Sequence, residues 1–65
     1  MKYKIVETDN FGGDYPNEKS LPVPPLEKEA AESIASLINE AAGLDCSRYW
    51  KVELFSYKLQ PGFQP

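Results

Sequence analysis

LEKEAAESIASLINEAAG, residues 26–43, is the stretch on which the fold turns. Leu26, Ala30, Ile34, Leu37, Ile38 and Ala41 recur mostly at steps of three and four, which draws an apolar stripe down one side of a helix. Pro24 and Pro25 stand at its entrance, where a missing N–H costs nothing. Glu27 and Glu29 then lie near the positive end of the helix dipole, and Gly43 can adopt the positive φ that ends a helix. The spacing predicts a helix over about 26–42.

Outward from that helix the pattern changes to period two. Tyr49–Tyr57 supplies aromatic and β-branched residues, with Trp50, Val52 and Leu54 on one face and Tyr49, Lys51, Glu53, Phe55 and Tyr57 on the other. The first set, with Ile5, is the natural partner of the helix stripe. Residues 2–8 also read as a strand, although neither Tyr3 and Ile5 nor Lys4 and Val6 make a cleanly buried face. Asp9–Asn17 concentrates turn formers and reads as a loop. Glu18–Val23 can return as a short strand, which Pro22 confines to an edge. The expected fold is therefore α+β: a single helix packed on a small two- or three-stranded antiparallel sheet, in the order β-(β)-α-β. Residues 1–58 form the one domain, and 59–65, with two prolines and a glycine, an extended tail.

Sixty-five residues bury only about 60% of the surface of their unfolded chain, which leaves a thin core and little room for a catalytic cleft. With 42% hydrophobic residues the chain is too apolar to be disordered, yet no run approaches a membrane span. Charge interrupts residues 1–7 before a secretory segment develops. The single cysteine, Cys46, forms no disulfide within the chain and suits a reducing compartment, so the expected location is the cytoplasm.

The absence of histidine removes the commonest general base and a common metal ligand. Cys46 has Arg48 nearby but no recognisable base, and Glu29 with Glu32 reads as solvating charge. In Asp9–Asp14 the acids and glycines fail the alternation of a calcium loop, and no helix opens after Gly12-Gly13 to cradle a phosphate. The expectation is no enzyme, no metal and no cofactor. The net charge of −3 divides as +1 over residues 1–8, −2 over 9–25, −3 over 26–43 and +1 over 44–65. Strands this weakly basic do not support strong phosphate binding, so nucleic acid is an unfavoured partner.

Aromatic residues point elsewhere. One helix cannot cover both faces of a sheet, which leaves Tyr49, Lys51, Phe55 and Tyr57 as an expected protein-contact face, extended by Phe11 and Tyr15 from the loop. The competing reading is that the tail folds back and Phe63 or Leu59 covers that face.

The strings VETDNFGGDYP (6–16), RYWKV (48–52) and YKLQPGF (57–63) resemble small uncharacterised proteins of bacteriophages, prophages and their bacterial hosts. The resemblance carries no activity and no functional residues. It implies an intracellular accessory protein, in the host cytoplasm if phage-encoded, such as an inhibitor that binds a host protein. A self-associating structural homodimer is the alternative, and a weak nucleic-acid binder comes after both.

Overall fold

Tyr3–Asp9, carrying β-branched Ile5, Val6 and Thr8, forms strand β1 at the centre of a three-stranded antiparallel sheet. β2 (Lys19–Ser20) lies on one side of it and β3 (Arg48–Leu54) on the other, while α1 (Lys28–Ala42) connects β2 to β3. The computed structural model describes residues 1–11 and 16–62. Gly12 and Gly13, read above as the chain reversal, therefore lie outside the described residues, as do Tyr15 and Phe63.

β1 and β3 pair over their full lengths, from Tyr3 opposite Leu54 to Asp9 opposite Arg48. β2 is much shorter than the segment expected from sequence. After Leu21 donates to the Ile5 carbonyl (2.9 Å), Val23 N–H turns back to the Leu21 carbonyl (2.8 Å) in a tight three-residue turn centred on Pro22. Pairing resumes only at Leu26, which exchanges two hydrogen bonds with Tyr3. Pro22, Pro24 and Pro25, which have no N–H to donate, occupy the excursion between.

Both predicted ends of the helix are observed to within two residues. Glu27 is the N-cap residue, so the prolines precede the cap instead of occupying the first turn. Gly43 follows Ala42 at φ 85°, with its N–H on the Asn39 carbonyl (3.0 Å). Fifteen residues of helix span about 22 Å, the same as seven residues of strand, so α1 lies along the whole sheet.

The face that α1 buries differs from the stripe read in the sequence. Ala31 and Ala35 are the buried helix residues, and they pack with Ile5, Tyr3, Leu21, Leu26, Ile34, Trp50 and Val52. Ala30 and Ala41 are exposed, and Leu37 is 69% exposed. The true contact face is turned by about a quarter turn from the expected one. Small alanines let the helix backbone approach the pleated sheet, whereas Leu37, the more hydrophobic residue, does not fit there. Leu54 is also exposed, because β3 ends there and the helix has only begun at that level.

The packing predicts that Ile5→Ala lowers stability by about 2–5 kcal/mol, whereas Leu37→Ala changes it by no more than about 0.5 kcal/mol. Urea denaturation of the two variants beside the wild type measures both values; a Leu37 loss as large as that of Ile5 would restore the face expected from sequence.

Candidate protein-contact surface

The face of the sheet opposite α1 is roofed by polar side chains and by the chain after β3. Glu18, just before β2, is buried and accepts hydrogen bonds from Thr8 Oγ1 (2.7 Å), Tyr57 Oη (2.7 Å) and the Gln60 N–H (2.9 Å). Lys51 Nζ completes the shell at 3.0 Å and also pairs with Glu53 (3.3 Å). The same ammonium donates to Tyr57 Oη (3.0 Å), and Lys4 donates to the Tyr57 carbonyl (2.6 Å). Backbone bonds from Asn17 and Glu18 to the carbonyls of Pro61 and Gln60 hold that segment in place. Gly62 is required there, since a Cβ would stand 2.9 Å from that of Asn17.

Burial works against the charge of Glu18, but the hydrogen bonds from Tyr57, Thr8, Gln60 and Lys51 outweigh it and hold its pKa down to about 2. Burial likewise opposes the charge of Lys51, and its bonds to Tyr57, Glu18 and Glu53 more than compensate, holding its pKa above the ordinary lysine value. This network escapes sequence reading: the partners of Glu18 stand between ten and forty-two residues away along the chain.

The residues expected to form one contact face are thus divided. Lys51 and Tyr57 belong to the roof network. Tyr49 and Phe55 remain 45% and 49% exposed, and Phe55 lies in a turn beyond the end of β3. Phe11 is also exposed, but it follows Asn10, which pairs with Ser47 at one end of the sheet, whereas Phe55 pairs with Lys2 at the other. About 23 Å of strand separates those ends, so Phe11 does not extend a patch around Phe55. Tyr15 lies outside the described residues. Cys46 is half-buried in the α1–β3 connection, and its carbonyl accepts a bond from Asn10 Nδ2 (2.8 Å).

The outer edge of β3 carries a second feature that periodicity does not disclose. Tyr3 and Ile5 turn their backbone groups toward the β2 side, while Phe55 N–H bonds Lys2 and Asn10 N–H bonds Ser47. This phase directs the N–H and C=O of Trp50, Val52 and Leu54 away from β1. At Trp50 both groups are taken by one side chain: Asn39 Oδ1 accepts its N–H (2.9 Å) and Asn39 Nδ2 donates to its carbonyl (2.7 Å). The Leu54 carbonyl accepts from Tyr57 N–H (2.8 Å). Among the described residues no group pairs with the N–H or C=O of Val52 or with the N–H of Leu54.

A groove of about 430 Å³ runs along this edge, bounded by Glu32, Ser36 and Asn39 of α1 and by Tyr49 to Val52 of β3. A smaller, mostly apolar hollow of about 270 Å³ lies at the end of the strand among Met1, Leu54 and Phe55. On the outer side of α1, Glu29, Glu32 and Glu40 surround the exposed Leu37.

These features define a small α+β unit with both sheet faces covered and one edge available. No family model, curated protein or solved structure matches the chain. Among the described residues no helix is long and apolar enough to cross a membrane.

A depressed carboxylate pKa stabilises the folded state above the unfolded value, and this contribution is lost as pH falls from 4.5 toward 2. Glu18 accounts for about 3 kcal/mol of acid lability across that window. The expected result is a steep fall in Tm below pH 4.5 that Glu18→Gln flattens, at the cost of lower stability at pH 7. An equally steep acid profile in the variant would assign the lability elsewhere.

Proposed function

We propose that this chain is a small protein-binding accessory module acting in the cytoplasm, of the class that its phage-like strings imply, with inhibition of a host protein as one role open to that class. The observation that carries the reading is the open edge of β3, where the Val52 backbone groups point outward between the half-exposed rings of Tyr49 and Phe55. An extended segment of another protein can pair with such an edge, gaining main-chain hydrogen bonds from the strand and apolar contact from the rings. The lone thiol of Cys46 fits a reducing compartment.

Nucleic-acid binding is less well supported, because Lys4, Arg48 and Lys51 are committed to partners within the chain. Arg48 alone bonds Glu7 (3.0 Å) and the carbonyls of Pro16 and Asn17 (2.8 Å each). Self-association is the second reading, favoured by one specific arrangement. About Val52 the strand is antisymmetric, Tyr49 and Lys51 mirroring Phe55 and Glu53, so a two-fold copy would set Lys51 against Glu53.

The test is affinity capture from bacterial lysate with the immobilised protein and with a Tyr49→Ala/Phe55→Ala variant, circular dichroism confirming that both are folded. The proposal expects specific proteins retained by the wild type and lost by the variant, from a protein that sediments as a monomer. Retention of the same proteins by both, or a stable dimer that retains none, would contradict it.

A further inference from the structure

We infer that the partner segment added to β3 is basic and extended, with cationic side chains on the α1 side and apolar ones on the other. The inference rests on the protein-binding reading above and specifies its occupant. Backbone pairing is available over a short window: Val52 offers a donor and an acceptor and Leu54 a donor. Asn39 closes the ladder at Trp50, and the Leu54–Tyr57 turn closes it at the other end. With so few main-chain bonds, side chains must decide which segment binds.

A strand laid along this edge alternates its side chains between the two sides of the sheet. On the α1 side they meet Glu32, which lines the groove, with Glu29 and Glu40 beside it on the same exposed helix surface. Lys28, the only basic residue of α1, stands one turn before Glu32 on the same side of the helix; against Glu29, Glu32 and Glu40 it leaves this surface net acidic. On the opposite side they meet Lys51 and Glu53, which neutralise one another at 3.3 Å, flanked by the half-exposed rings of Tyr49 and Phe55. Cations therefore suit one side and apolar groups the other.

The same charges weigh against a second copy of this chain. Pairing β3 with β3 about Val52 would bring the two α1 helices together on one face, setting Glu29, Glu32 and Glu40 of each near those of the other. The compensating Lys51–Glu53 pairs would only replace ones that exist within each chain. Like-charge contact without new neutralisation disfavours the dimer.

A seven-residue blocked peptide alternating Lys and Val serves as the probe, with its Glu/Val counterpart as control. Binding is followed by Trp50 fluorescence and by the Val52 amide resonance. The Lys/Val peptide is expected to bind at least about tenfold more tightly than the control and to lose about tenfold in affinity between ~0.1 M and ~0.5 M salt. Glu32→Lys with Glu29→Lys, both exposed, should abolish the preference. Val52→Pro should abolish binding, since it removes an N–H that no internal strand uses. Equal binding of the two peptides, no binding of either, or a preference that survives the double charge reversal would overturn the inference. Capture of a protein through Tyr49 and Phe55 alongside such a result would leave the binding-module reading standing and remove only the basic occupant.

Discussion

The structure depends on β1 being buried on both sides. Ile5 and Val6 are neighbours that point to opposite faces of the sheet, and each has no exposed surface. The described residues hold one helix for that requirement, and α1 covers Ile5. The Val6 side is closed by a carboxylate with four donors around it and by the chain after β3. Buried charge is generally a poor source of stability, because desolvation offsets attraction. Here each lone pair of Glu18 is occupied, so the group costs little to keep, and removing one donor would leave an uncompensated charge. The roof also draws together four parts of the chain, β1, the approach to β2, β3 and the segment after β3.

Covering both faces leaves the edges. On the β2 side, prolines and the Leu26 bridge shorten the exposed backbone. On the β3 side, Asn39 imitates one residue of an additional strand and occupies Trp50 alone. Native sheets commonly blunt such edges because an unpaired edge recruits other chains. Val52 and Leu54 are left open beside an acidic helix surface, and the proposed binding of a basic segment rests on that arrangement.

Much of this fold was legible in the sequence, and the illegible parts share a cause. The helix ends were readable because Pro24, Pro25 and Gly43 act through local backbone chemistry. β3 was readable as a strand from its period of two, whereas its place and direction in the sheet were not. The helix face was misread because hydrophobicity favours Leu37, whereas close approach to a sheet favours Ala31 and Ala35, and only the partner surface decides between them. Asn39 and Glu18 were invisible as organising residues because their partners are remote in sequence: an asparagine eleven residues before a tryptophan, and a glutamate bonded to Thr8, Tyr57 and Gln60. Of the residues expected to share one face, Tyr49 and Phe55 are exposed, while the role of Lys51 and Tyr57 inside the roof appears only once the chain after β3 has returned.

Amide hydrogen exchange in dilute protein tests the open edge most directly, because Lys51 and Val52 are adjacent in one strand and differ only in the direction of their backbone. Lys51 faces Val6 across the β1–β3 ladder, and Val52 faces outward. Lys51 is expected to be protected at least about a hundredfold more than Val52 after correction for intrinsic rates. Equal protection at the two amides would mean that the edge is already covered, and would contradict the account.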